Sequence, residues 1–137
     1  MADITITATS VVKGASASVI NGTAGASVTA GQAVYLDTST STYKLADADS
    51  GTAAARTCDG IALNGAASGQ PLQVLTGGPV TIGATLSVGV GYYLSKTAGG
   101  ICPVADLTTG AYPTFLGFAT SVSVLNVSRV AAGVALP

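Results

Sequence analysis

The sequence predicts an all-β protein: a small barrel or sandwich built from two related β-hairpin units, preceded by an extended N-terminal arm. Three observations carry this expectation. Short apolar runs rich in Val, Ile, Tyr and Leu are separated by Gly, Ser, Thr and Asn clusters about every 8 to 12 positions, the spacing of short strands joined by turns. Residues 25–36 read GASVTAGQAVYL, and 58 positions later residues 83–94 read GATLSVGVGYYL, with five of the twelve positions identical. Helical periodicity is scarce, the single candidate being the Ala-rich turn at 52–56.

Taken in order, Ile4, Thr5, Ile6 and Thr7 alternate with the period of a half-buried strand. A polar, Gly-punctuated stretch over 13–24 completes an arm spanning 1–24, and residues 25–137 form a single β-domain with copies at 25–80 and 83–137. In the first copy Val34 and Leu36 face one way, and Ala33, Tyr35 and Asp37 the other. The second copy aligns Tyr92 and Leu94 with the first face and Tyr93 with the second. Tyr43, Lys44 and Leu45 return as the second strand of a hairpin. In the second copy residues 96–100 turn, and Pro103 confines the returning strand to a sheet edge or its end. Each copy then adds two further segments, 60–63 and 72–75 in the first and 117–120 and 122–127 in the second. The paired Gly31 and Gly89 fit turns that require a positive φ.

Composition narrows the function. The chain has 137 residues, 48% of them hydrophobic and only 8% charged, with a net charge of −1. Soluble domains carry roughly 25% charged residues, so this surface is covered by hydroxyls or buried against other copies or partners. The five basic residues are scattered, which leaves no patch for phosphate neutralisation and argues against nucleic acid. No polybasic or amphipathic anchor points to a membrane, and the start lacks the pattern of an export signal. The uncharged run over 60–95 is broken by Asn64, Gln70, Pro71, Gly77, Gly78 and Pro79, so it is no membrane helix.

Reactive chemistry is thin. The chain has no His and no Glu, which removes the commonest general base and the usual paired-carboxylate designs. No nucleophile elbow or S-x-x-K motif is present, and the sequence predicts no enzyme and no cofactor. Cys58 and Cys102 fall at positions that do not correspond in the two copies. They read as two small buried hydrophobes, with a disulfide as the alternative; without His they cannot build a structural zinc site. Asp47, Asp49 and Gly51 resemble the opening of a calcium loop, but no acidic residue closes it, and an Asx turn is the competing reading. Gly77, Gly78 and Pro79 lack the Lys and the helix of a phosphate loop. Asn21-Gly22-Thr23 and Asn126-Val127-Ser128 match the glycosylation triplet in a chain where Ser and Thr make such triplets common. Tyr35 and Tyr93 occupy equivalent positions and either fill a core or stand as partly exposed anchors for a protein contact.

The opening Met1-Ala2-Asp3-Ile4-Thr5-Ile6-Thr7, then Ala30-Gly31-Gln32-Ala33-Val34-Tyr35-Leu36-Asp37, Tyr43-Lys44-Leu45-Ala46-Asp47-Ala48, Gly60-Ile61-Ala62-Leu63 and Gly69-Gln70-Pro71-Leu72 resemble the head decoration, or capsid cement, proteins of tailed bacteriophages. The resemblance spans most of the chain and its motifs are structural. It implies a virion protein made in the host cytoplasm that binds the outer capsid surface and braces neighbouring major capsid subunits, as a homo-oligomer with a trimer favoured over a dimer. Ile4, Ile6, Val11 and Val12 of the arm, with Tyr35 and Tyr93, are the expected capsid or subunit contacts. The arm can attach by adding a strand to an exposed sheet edge. Another virion part, such as a head fibre base or tail component, and a cell-surface adhesion or carbohydrate-binding module are the alternatives.

Overall fold

A computed structural model describes residues 3–136; Met1, Ala2 and Pro137 lie outside the described residues, the first two being the start of the expected arm. Among the described residues the protein is all-β, with helix confined to three single 3-10 turns. Ten strands follow one another: β1 Val12–Lys13, β2 Ser18–Thr23, β3 Ala33–Asp37, β4 Thr42–Leu45, β5 Gly60–Ala62, β6 Pro71–Thr81, β7 Gly91–Leu94, β8 Ile101–Pro103, β9 Thr114–Ala119 and β10 Val124–Ala131. All strand pairings are antiparallel, and the order β4-β3-β5-β6-β10-β9-β7-β8 runs through one curled sheet. Each copy of the repeat thus supplies a hairpin, β3-β4 or β7-β8, then a short strand, β5 or β9, then a long one, β6 or β10.

The join between the copies is β6. Its first half carries β2 on one edge and β5 on the other, and its second half carries β1 and β10. Between the halves sit Gly77 and Gly78, where the register with β2 slips and Gly78 takes φ 96°. A Cβ on Gly78 would lie 2.8 Å from the Cα of Ala17. Glycine at this point therefore lets one strand bend out of the first copy's sheet into the second's while the N-terminal chain passes close by.

The main core lies between the two copies and joins Ala33, Tyr35, Ile61 and Leu75 of the first to Tyr92, Leu94, Leu116, Ala119 and Leu125 of the second. A second cluster covers the opposite face of the first copy. There Val34, Ala62, Leu72 and Val74 are roofed by Ala24, Val28, Tyr43 and Ala66, with Val28 and Ala66 exchanging two backbone hydrogen bonds of 2.9 Å.

Repeat-equivalent residues consequently meet different surroundings. Val34 and Leu36 point at the roofed cluster, whereas Tyr92 and Leu94, their equivalents, point at the shared core. Tyr35 is buried in that core, and its equivalent Tyr93 is half-exposed on the outside. The copies pack front to back rather than face to matching face. Had a two-fold axis related them, equivalent faces would meet.

From Ile4 onward the expected arm is part of the body. Residues 18–23, expected as arm, are the strand β2, paired with β6 along its whole length. The expected strand over Ile4 to Thr7 is not one, because its backbone meets two different segments instead of a single neighbour: Ile4 N–H donates to Ile101 O at 2.9 Å and Thr7 N–H to Gly83 O at 2.8 Å. The alternation still sets which side chains turn inward, since Ile4, Ile6 and Val11 pack against the main core. Gly31, at φ 92°, leaves the space that Ile6 occupies.

The hairpin β3-β4 carries the only salt bridge found among the described residues, Lys44 Nζ to Asp37 Oδ2 at 2.7 Å. Asp37 also accepts the Ser39 hydroxyl at 2.7 Å and its N–H at 3.0 Å. The ammonium first, then these two donors, lower the Asp37 carboxyl from 3.8 to about 2. Because the folded pKa is depressed, its contribution is full above the ordinary carboxyl range and is lost as pH falls toward 2. NMR titration of the side-chain carboxyl is expected to give a midpoint near 2, moving toward the unperturbed range in Lys44→Met; an unshifted wild-type midpoint contradicts the pairing.

Candidate interaction face

The second copy buries one face of its sheet in the shared core and leaves most of the other uncovered, the exception being its β8 end, where Cys102 is buried near Asp3 and Asp106. Strand register shows what that outer face carries, because residues directly opposite across an antiparallel ladder project to the same side. Tyr93 lies opposite Cys102 on one side and Phe115 on the other, and Phe115 lies opposite Val130. The next row runs from Gly91 through Phe118 and Asn126 to Pro79, and a third from Val124 through Thr81 to Val12. None of these positions is charged.

Three rings form its centre. Tyr93 and Phe115 meet edge to face with centroids 5.4 Å apart, and Phe115 and Phe118 do the same at 5.0 Å. Such pairs add about 0.5–1.5 kcal/mol beyond burial. All three rings gather over Gly91, where a Cβ would stand 3.1 Å from Phe115 and within 3.7 Å of the other two rings. The missing side chain is therefore what lets them close together. Even so, Phe118 remains 55% exposed, Val12 59% and Val130 63%.

Arg129 sits in β10 beside this face, yet its guanidinium is engaged elsewhere. Nε donates to Thr76 O at 3.0 Å and Nη1 to Cys58 O at 2.9 Å. A bulge between Val127 and Val130 places Arg129 out of the regular alternation. The nearest cation on β10 is in this way tied to backbone carbonyls.

Of the expected contact residues, Tyr93 and Val12 share this face, while Ile4, Ile6 and Val11 are half-buried against the core. Tyr35 is corrected from contact residue to core residue, at 8% exposure. The reason is the front-to-back packing, which sends the same sequence position inward in one copy and outward in the other. Phe115, Phe118 and Val130 were not singled out by sequence. The alignment of Phe118 with buried Ile61 held the signal for one of them, but reading it requires knowing which faces pack.

The Asp47–Asp49 turn and the two cysteines sit in ordinary structure. Asp49 N–H donates to Asp47 Oδ1 at 3.2 Å, an Asx turn, and burial first, then Asp49, raises the Asp47 pKa. No group of three or more possible metal ligands gathers among the described residues, and no helix there is long and apolar enough to cross a membrane. Cys58 and Cys102 are both free and buried. Burial pushes the Cys58 thiol up to about 12, and burial followed by the nearby Asp3 and Asp106 pushes Cys102 up to about 11. Thiolate is the reactive form, so a disulfide-exchange reagent is expected to titrate neither thiol in the native protein at pH 8 and both in denaturant. Rapid native labelling contradicts this.

The fold and this face define an all-β protein with a largely uncovered, aromatic-centred sheet surface whose central rows carry no charge. Compared with protein-family models, curated proteins and solved structures, the chain matches none.

Proposed function

We propose that the chain is a virion structural protein that binds the outer surface of a tailed-phage capsid and braces neighbouring major capsid subunits, acting by contact rather than catalysis. The observation that carries this reading is the sparsely charged surface, 8% charged residues against roughly 25% in soluble domains, with the aromatic face around Tyr93, Phe115 and Phe118 serving contacts between copies of the chain. Exposed aromatic side chains on such a surface supply contact area at small conformational cost, and they are enriched at the centres of protein interfaces. The resemblance of the motifs at 1–7, 30–37, 43–48, 60–63 and 69–72 to phage decoration proteins supports the particular partner, the major capsid protein. Attachment repeated over a shell turns modest individual contacts into net stabilisation through mass action.

The test is co-sedimentation of the purified chain with expanded and unexpanded shells of the phage that encodes it. Saturable binding, accompanied by a higher shell melting temperature, is the expected result. Absence of binding to either shell overturns the reading.

A further inference from the structure

We propose that the outer face of the second copy is a self-association surface, and that two chains meet through it face to matching face in a closed dimer. The argument begins inside one chain. The first copy uses the face bearing Ala33, Tyr35 and Ile61 to pack against its neighbour, forming half of the main core. The equivalent positions of the second copy are Gly91, Tyr93 and Phe118, and these have no neighbour. One packing surface of the duplicated pair is occupied, and the other is left open.

Front-to-back packing would ordinarily continue from chain to chain and build an open filament. Here it cannot. The surface that a further chain would have to offer is the back of its first copy, Val34, Ala62, Leu72 and Val74, and that surface is roofed by Ala24, Val28 and Ala66. The open face is thus left with its own counterpart on a second chain as the available complement of the same chemistry.

Lack of charge favours this occupant. A two-fold contact sets each residue near its own symmetry mate, so any charged group near the axis faces a like charge. The cross-strand rows through Tyr93 and Phe118 carry none, the carboxylates of Asp3 and Asp106 lie at the far β8 end beside Cys102, and Arg129 is held by the carbonyls of Thr76 and Cys58. The rings prefer edge-to-face and offset contacts, which Phe118, 55% exposed, is placed to extend across the axis.

The inference concerns the purified chain alone and goes beyond the shell reading. Sedimentation velocity across a concentration series tests it, on wild type, Asn126→Asp, Phe118→Asp and, as a control away from the face, Val134→Asp. Asn126→Asp is nearly isosteric and Asn126 is exposed, so it tests the surface without disturbing the core; far-UV circular dichroism and a urea midpoint verify folding of Phe118→Asp. Wild type and Val134→Asp are expected as dimers. Both face variants are expected to weaken association by at least about tenfold, with the effect of Asn126→Asp shrinking at high salt. A monomeric or trimeric wild type overturns the proposal, as do face variants that dimerise like wild type or a control that dissociates as they do. A dimer that fails to bind shells overturns only the shell reading, and a shell-binding monomer overturns only the dimer.

Discussion

Gly117→Ala is expected to be among the most damaging single-methyl additions in this protein, costing about 3 kcal/mol or more, at the upper end for overpacking. Gly117 lies in β9 opposite Val127 of β10 and Tyr92 of β7, and a Cβ there would land on the carbonyl oxygen of Asn126 and within 3.1 Å of the Val127 Cα. These are backbone atoms of a central strand and cannot rotate away, so β9 and β10 must separate and weaken the ladder that joins the hairpin β7-β8 to the rest. Domains of this size are stable by about 5–15 kcal/mol, so a large share of the total is at risk. Gly89→Ala provides the comparison. Gly89 has φ 81° but nothing within 4 Å of its virtual Cβ, and the cost should be confined to the left-handed backbone, about 1–2 kcal/mol. Urea denaturation of both variants gives the difference. Equal midpoints would mean that close strand approach at Gly117 contributes nothing special.

Deleting residues 1–12 is expected to destabilise the body by about 2–4 kcal/mol, taking roughly half of 1.5–3 kcal/mol for each half-buried aliphatic chain lost at Ile4, Ile6 and Val11. The Ser95 hydroxyl bond to Asp3 Oδ1, 2.5 Å long, goes with them, as do the backbone bonds at Ile4 and Thr7. A thermal melt that falls by several degrees bears this out, whereas an unchanged melt shows the segment to be peripheral. The result also bears on shell binding. Loss of attachment in the deleted chain could follow from a loosened core as readily as from missing contacts. Substituting the outward Thr5 and Thr7 with Asp separates the two effects, because these side chains are exposed and the inward row stays intact.

Much of the fold was legible because β-structure writes its period into the sequence. The hairpin strands around Tyr35 and Tyr43, the equivalents near Tyr93 and Pro103, the positive φ at Gly31 and Gly89, and the turn around 53–56 follow from alternation, turn chemistry and the repeat. Strand β2 escapes the sequence reading because its two apolar residues, Val19 and Ile20, are adjacent rather than alternating, sit among Ser, Asn, Gly and Thr on a mostly exposed edge, and are followed by Gly22, where the Tyr43 ring crowds close. Its strand character comes from pairing with β6 rather than from its own pattern. The sequence predicts β6 only over 72–75, since Gly77, Gly78 and Pro79 look like a break and instead form a bend within a continuing strand.

By itself the sequence determined the strand class, the two copies and the scarcity of charge and reactive groups, because these depend on local periodicity and composition. Only the tertiary structure decided which face of each copy became core. A period of two says that residues 34 and 36 share a side and that 35 takes the other, in both copies alike. It is silent on which side meets a neighbour. That choice is made by contacts far apart in the chain: the bend at Gly78, the roof of Val28 and Ala66 over the first copy, and the front-to-back packing. Together they buried Tyr35, turned Tyr93 outward, and left the aromatic face of the second copy open.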